Sequence, residues 1–448
     1  MSNAERSTTV FDNEALNLAN QEELRYPPVQ PTVGQYKLPP EVQASFPNNK
    51  TGVSPLERWL LGRLLKSMGD PPLQIVLWNG EVITTTGQSP VARILFKKRR
   101  SMLSVLRNPG LYFGDAYSVG DVEVEGDLIL LLEYAYRSGT DLEKRRIIPG
   151  RIWNKMSRSR SQALRRSREN IHHHYDIGND FYRLWLDKDM VYTCAYYPSP
   201  AASLEQAQWA KMDLVCRKLR LRPGETVVEA GCGWGALARF MARQYGVTVK
   251  AMNISREQIA YARQVAAAEG LADRVEFIED DYRNIRGTFD VFVSVGMLEH
   301  VGKEHYRDLG DVINRSLKSN GRGLLHSIGR NKPCPMNAWI DRRIFPGAYP
   351  PSLHEMMEIL EPWDFSVLDV ENLRLHYAKT LMDWLEQYER VFDRVTAMYD
   401  ENFARAWRMY LAGSIAGFTT GWLQLFQVVF TRPTVNDVPW SRAYLYDK

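Results

Sequence analysis

Cysteine is scarce. The 448 residues hold four, Cys194, Cys216, Cys232 and Cys334, and none stands in a C-x-x-C pair. That scatter offers neither a disulfide framework nor a zinc site, so no metal is expected, and it fits a reducing cytoplasm. An excess of charge of one sign is also missing. Fifty-seven Lys and Arg face 53 Asp and Glu, a net charge of +4, which gives no reason to expect a nucleic-acid partner. The opening residues carry Glu5, Arg6 and Asp12 and no apolar signal-peptide core. Nor is there a predominantly apolar run of about 20 residues. The nearest approach is the charge-free stretch between Arg408 and Arg432. It is broken by three glycines and by Ser414, Thr419, Thr420, Gln424 and Gln427. It reads as a helix end followed by a buried strand, Leu425 to Phe430. Any membrane contact is therefore expected to be peripheral.

A chain of this length calls for two domains. Residues 1–52 are rich in Pro, Asn, Gln and Glu and read as a poorly ordered arm. From Pro55 the apolar residues Leu56, Trp59, Leu60, Leu61, Leu64 and Leu65 recur at helical spacing. Strand-like runs follow, Leu73 to Trp78 and Val91 to Phe96, with Asn79-Gly80 as turn punctuation, and Leu128 to Tyr136 reads as helix. Residues 53–153 thus make a small α+β domain. Residues 154–170 form a basic linker carrying Arg158, Arg160, Arg165, Arg166 and Arg168, and Lys97 to Arg100 give a second basic cluster. The linker reads equally well as a solvated connector and as a contact for anionic lipid headgroups.

Over residues 171–448 short apolar strands alternate with helices. Strands are expected at Thr226 to Glu229, Val247 to Met252, Val275 to Ile278, Val291 to Val295 and Gly323 to Ile328, with helices at Ala236 to Tyr245 and Arg256 to Glu269. That alternation implies an α/β fold with a doubly wound, mostly parallel, Rossmann-like sheet.

The sharpest local signal is Val228-Glu229-Ala230-Gly231-Cys232-Gly233-Trp234-Gly235, placed between the first of these strands and its helix. Glycines there let the backbone turn tightly and approach a ligand. The spacing departs from the dinucleotide G-x-G-x-x-G. An acid stands two residues before the first glycine, and the next strand ends Met252-Asn253-Ile254-Ser255 without the ribose-binding acid of an NAD site. Asp280-Asp281-Tyr282 after the third strand suits a nucleoside at that edge. This pattern resembles the class I S-adenosylmethionine methyltransferases. The resemblance implies that Gly231, Gly233 and Gly235 line the methionine portion, with Glu229 as the acid before the turn. It puts Asn253, Ile254 and Gln258 near the ribose and Asp281 and Tyr282 near the adenine.

Five further segments carry chemistry: His174-Tyr175-Asp176-Ile177-Gly178-Asn179-Asp180-Phe181-Tyr182, Val191-Tyr192-Thr193-Cys194-Ala195-Tyr196-Tyr197, Val295-Gly296-Met297-Leu298-Glu299-His300, Leu325-His326-Ser327-Ile328-Gly329 and Leu375-His376-Tyr377. In this order and spacing they resemble the cyclopropane-fatty-acyl-phospholipid synthase family. The likeness covers about residues 55–445 and is densest from His174 onward. It implies an enzyme that moves a methylene unit from S-adenosylmethionine to the cis double bond of an acyl chain in a phospholipid. It further implies a bound bicarbonate as base, held by Cys194, Glu299, His326, Tyr377 and the backbone at Ile328, with Tyr192 and Thr193 at the methionine end. A carboxylate alone would repel bicarbonate, so Glu299 is expected to accept its hydroxyl proton and to work with His326. Tyr175, Phe181, Tyr182, Tyr196 and Tyr197 are dense enough to wall a pocket in which ring faces stabilise a carbocation, each by roughly 0.5–2 kcal/mol. Peripheral association with the inner face of the membrane and a homodimer complete what the resemblance implies. Two other readings remain: the same alkene methylation without ring closure, giving a methyl- or methylene-branched chain, and a non-catalytic lipid-binding protein that kept the fold.

Overall fold

The computed structural model describes residues 52–144 and 177–446, all within one compact unit. The arm, the basic linker and Tyr175 lie outside the described residues.

The larger sheet forms because its strands are apolar on both faces. Seven strands lie in the order β10-β11-β9-β8-β5-β6-β7. They are β5 (Thr226–Ala230), β6 (Thr248–Asn253), β7 (Val275–Glu279), β8 (Phe289–Val295), β9 (Leu317–Gly329), β10 (Ser366–Asn372) and β11 (Gln424–Thr431). All neighbouring pairs from β9 to β7 run parallel, while β11 runs antiparallel to both β9 and β10. Side chains alternate between faces. Val227, Val291, Leu324 and Val429 join one core, and Val228, Phe292, Leu325 and Val428 join the other. The charge-free stretch divides as expected into the end of a helix, Glu401–Thr419, and the strand β11.

The smaller domain holds a four-stranded sheet of order β2-β1-β3-β4. Its strands are β1 (Leu73–Val76), β2 (Val82–Ile83), β3 (Ala92–Phe96) and β4 (Val122–Gly126), packed on helix α1 (Pro55–Ser67). The first strand stops two residues short of Trp78, because the Asn79-Gly80 turn begins at Leu77, whose carbonyl accepts from Gly80 N at 2.8 Å. Sequence periodicity passed over β4, whose inward valines alternate with Glu123 and Glu125, and β10, whose residues are largely half-exposed. The basic cluster at residues 97–100 meets carboxylates at every position. Lys97 pairs with Glu123, Lys98 and Arg100 with Asp121, and Arg99 with Glu57.

Arg405 ties the helix Glu401–Thr419 to the smaller domain. Its guanidinium donates to the carbonyls of Tyr117 (2.8 Å) and Val122 (3.1 Å) and to Glu123 (2.9 Å). At the other end of the chain a clasp folds over helix α2 (Leu204–Lys218). Arg217 donates to the Leu445 carbonyl, Arg222 pairs with Asp437 at 2.7 Å, and Arg442 reaches Asp369 on β10 at 3.3 Å.

Candidate active site

The glycine turn joins β5 to the helix Ala236–Tyr245. Gly235 caps that helix at φ +78°, and a Cβ there would lie 2.5 Å from the Phe277 ring. Only glycine satisfies both the left-handed backbone and the contact. The amides of Gly231 and Cys232 both donate to the Met252 carbonyl, at 2.9 and 3.1 Å, pinning the turn to the end of β6. Asn253 ties the next piece in. Its amide nitrogen donates to the Gly233 carbonyl (3.3 Å) and to Gln258 Oε1 (2.6 Å), and its carbonyl accepts from Asp280 N (3.1 Å). Ser255, one residue past Ile254, caps the following helix through Gln258 N. Asp281 starts a short turn, accepts from Arg283 N and is clasped by the Arg283 guanidinium at 2.8 and 3.0 Å.

Three buried polar atoms around this turn find no partner among the described residues: Glu229 Oε2, Gln258 Nε2 and the Tyr282 hydroxyl. A Cβ on Gly233 would meet nothing within 4 Å. Orphaned polar groups beside open backbone are what a polar ligand would satisfy, so the residues fit a bound S-adenosylmethionine. Burial pushes the Glu229 carboxyl up to about 7, with Lys211 and Arg239 pulling the other way. Lys211 is itself buried, which pulls its ammonium down to about 8, and it donates to Thr193 Oγ1 at 2.9 Å.

The second cluster is built from distant segments. Glu299 Oε1 accepts from Ile328 N at 2.6 Å. Ile328 stands opposite Leu425 on β11, and the Leu425 carbonyl accepts from Leu373 N. The Leu373 carbonyl in turn receives Tyr377 N at 3.1 Å and faces the Cys194 thiol at 3.9 Å. His326, two residues before Ile328, points to the same face of β9. These contacts bring Cys194, Glu299, His326, Ile328 and Tyr377 together. Glu299 is 5% exposed and His326 2%. Glu299 Oε2 and His326 Nε2 are both buried without a partner among the described residues. Burial pushes the Glu299 carboxyl up to about 7 and the Cys194 thiol well up. Burial, then Lys211 and Lys218, push His326 well below its ordinary value, so its ring is neutral.

The two clusters touch. A Cβ on Gly296 would lie 2.9 Å from Thr193 Cγ2, so the Tyr192–Cys194 segment lies directly on the end of β8. Tyr192 bonds Tyr410 through the two hydroxyls at 3.0 Å. Of the expected aromatic wall, Phe181 and Tyr182 are fully buried in a continuous ring cluster. Tyr182 packs on Trp185, Tyr192 and Trp234 at 5.7, 5.2 and 5.0 Å, and Phe181 meets Trp407 edge-on at 5.1 Å. Tyr196 and Tyr197 stack instead on His376, and the Tyr197 hydroxyl donates to Asp383 at 2.8 Å. A cavity of about 950 Å³ between the two domains is lined by Tyr112, Trp339, Phe403 and Trp407 among others.

Three residues escaped the sequence reading: Lys211, Lys218 and Gln427. The signal for the lysines was their register. Ala207, Lys211, Val215 and Lys218 share the buried face of α2, where a lysine is out of place unless it has work to do.

A family model described as mycolic acid cyclopropane synthetase matches residues 162–428, and one described as a domain of unknown function matches residues 60–145. A probable fatty acid methyltransferase of Pseudomonas putida is 38% identical over 391 residues, 84% of this chain and 96% of that one. The cyclopropane-fatty-acyl-phospholipid synthase of Escherichia coli K12 is 35% identical over 368 residues, 80% and 93% of the two chains. The crystal structure of mycolic acid cyclopropane synthase CmaA1 complexed with SAH and CTAB superposes with a TM-score of 0.57 at 30% identity, covering 59% of this chain and 98% of that one.

Proposed function

This chain belongs to the mycolic acid cyclopropane synthetase family and is an S-adenosylmethionine-dependent methyltransferase, and from that premise we propose that it converts the cis double bond of an unsaturated acyl chain in a phospholipid into a cyclopropane, with bicarbonate held in the buried pocket of Glu299 and His326. One observation carries the reading. Glu299 Oε2, an acceptor, and His326 Nε2, a ring nitrogen, are both buried and unpartnered among the described residues. Bicarbonate is an anion that also carries a proton, so it needs one acceptor and one donor, and this pair offers both.

When bound, S-adenosylmethionine supplies the one-carbon unit as a sulfonium methyl group, and bicarbonate supplies the base. The chain's own residues do the rest. Tyr192, Thr193 and the glycine turn would hold the methionine end, with Glu229, Asn253, Ile254 and Gln258 at the ribose and Asp281 and Tyr282 at the adenine. Glu299 Oε2 would accept a hydrogen bond from the hydroxyl of the anion, and an anion so held would supply a base for a proton on carbon. Glu299 Oε1 stays on Ile328 N, which fixes the side chain. Cys194 and Tyr377 close the pocket. Lys211 and Lys218, both buried on the same face of the sheet, supply the positive potential that a buried anion requires. The rings of Tyr182, Trp185, Tyr192 and Trp407 exclude water and present faces to a cation that no anion could touch without capturing it.

The cavity beside Phe403 and Trp407 suits the acyl chain, and the name of the Escherichia coli relative supports a phospholipid. No described helix is long and apolar enough to cross a membrane. Peripheral contact is supported by the exposed Leu56 and Trp59 of α1, beside the exposed Arg63 and Lys66. A second reading, alkene methylation without ring closure, is favoured by the name of the Pseudomonas putida relative.

The test is incubation of the full chain with S-adenosylmethionine, bicarbonate and vesicles of monounsaturated phospholipid, followed by mass spectrometry and NMR of the fatty acids. A gain of one CH₂ with cyclopropane proton signals is the expected result. The same gain with olefinic or branched-methyl signals selects the second reading, and no gain with any double-bond position overturns both.

A further inference from the structure

Strand β11 places Gln427 directly opposite His326. Gln427 is fully buried. Its amide nitrogen lies 3.0 Å from His326 Nδ1, and its Oε1 accepts from Lys218 Nζ at 2.7 Å. Lys218 is buried as well, and its ammonium also pairs with Glu371 on β10, with Asp369 3.9 Å away. The order of donors along this chain is fixed by chemistry. An ammonium has three donors and no acceptor. The Gln427 oxygen must therefore face Lys218, which leaves its NH₂ facing the imidazole. An amide NH₂ donates and does not accept, so His326 Nδ1 must be the acceptor. A neutral imidazole that accepts at Nδ1 carries its proton at Nε2. Nε2 is the ring nitrogen that has no partner among the described residues.

We propose that Lys218 and Gln427 are positioning residues that lock His326 in the Nε2–H tautomer, so that the buried pocket presents a fixed hydrogen-bond donor and receives there a ligand offering an oxygen acceptor. The tautomer stands on the hydrogen bonds alone. Only the identity of the ligand, an oxyanion such as bicarbonate, rests on the function proposed above. The arrangement also divides the labour of the pocket: Glu299 Oε2 is the acceptor and His326 Nε2 the donor, so a planar oxyanion bearing one proton enters in one orientation.

The experiment is two-bond ¹H–¹⁵N correlation NMR of the full chain labelled at histidine nitrogens. The His326 signals are assigned by their loss in His326→Asn. Wild type is expected to show Nε2 protonated and Nδ1 bare, with the Nε2 signal moving when bicarbonate is added. Gln427→Met, which keeps the bulk and removes both hydrogen bonds, and Lys218→Met, which frees the amide to flip, are expected to mix the two tautomers. They are expected to lower kcat roughly 10–100-fold, the effect of removing an outer partner from a site histidine, while the KM for S-adenosylmethionine stays within about twofold. A wild-type His326 protonated at Nδ1 overturns the proposal whether or not the variants fold. So does a Gln427→Met protein that keeps the pure Nε2–H tautomer and full kcat. A wild type that shows the Nε2–H tautomer and yet makes no lipid product supports the relay and overturns the lipid reading alone.

Discussion

The cofactor half of the site and the base half differ in how far the chain travels to build them. Glu229, the glycine turn, Asn253 and Gln258 lie within one strand–helix–strand–helix passage, and hydrogen bonds among near neighbours hold them. Cys194, Glu299, His326, Tyr377 and Gln427 come from separate elements and meet only because β11 lies between β9 and β10. A half built locally is damaged by local strain. A half built at long range is damaged by removing charge or hydrogen bonds, with the fold left standing.

The largest effect should come from Glu299→Gln. Loss of the acceptor is expected to cut turnover on monounsaturated vesicles by about 10²–10⁴, read by mass spectrometry. Stability should move the other way. The Glu299 carboxyl is raised from its ordinary 4.5 to about 7. A raised value means that the fold prefers the protonated form, so stability present below pH 4.5 is lost as pH rises through 7. The permanently neutral glutamine should therefore melt higher than wild type at pH 8 and alike at pH 4.5. An equal melting temperature at pH 8 would show that burial of this carboxyl costs nothing, and the contrast between the halves would collapse.

The glycines sharpen the contrast from the other side. Gly235→Ala meets both the left-handed backbone and the Phe277 ring, and should cost roughly 1–3 kcal/mol of folding stability. Gly233→Ala carries similar backbone strain at φ +53° but points into open space. It should weaken S-adenosylmethionine binding more than it lowers the melting temperature. Calorimetry on the pair checks both, and equal loss of affinity in the two variants would count against the placement of the methionine portion at Gly233.

Lys211→Met should weaken cofactor affinity at pH 7 about tenfold, the equivalent of a rise of about one pKa unit, on the order of 1.4 kcal/mol, in the Glu229 carboxyl that Lys211 holds down. With the neighbouring ammonium gone, the Glu229 carboxyl rises further, so the pH at which affinity is half lost should move upward. A titration series from pH 6 to pH 9 that shows no such movement refutes the coupling. The smallest effect belongs to Ser203→Ala, which removes the capping box of α2. About 1 kcal/mol of stability should go, with kinetics unchanged, because the cap lies at the end of the helix away from Lys218.

The sequence made the cofactor half legible because its signals are contiguous: an apolar strand, spaced glycines, and a helix beginning at Ala236. Most of the central strands could be read the same way, since each is apolar on both faces. The base residues were legible only through family resemblance; no spacing in the chain says that Glu299 will lie on Ile328 N. Gln427 showed in the sequence as a polar interruption of a charge-free stretch, and nothing local distinguishes it from Gln424. Its meaning depends on register across two strands whose residues stand about a hundred positions apart. The strand β10 was missed because a half-exposed edge carries no apolar run. Tyr196 and Tyr197 sit in an aromatic-rich segment, yet both rings stack on His376 of a distant helix, to which Tyr197 N also donates, a long-range contact that nothing local in the sequence shows.

The place of β11 also sets a timetable. Synthesis delivers the glycine turn about two hundred residues before Gln427, and domains tend to fold as they leave the ribosome. A nascent chain halted before Gln424 already carries the turn that would cradle S-adenosylmethionine, but it lacks the strand that aims His326 and the terminal clasp that covers α2. On the proposed assignment, the chain would thus emerge with the residues for gripping the donor before those for completing the reaction, and chemistry would wait for β11 to take its place between β9 and β10.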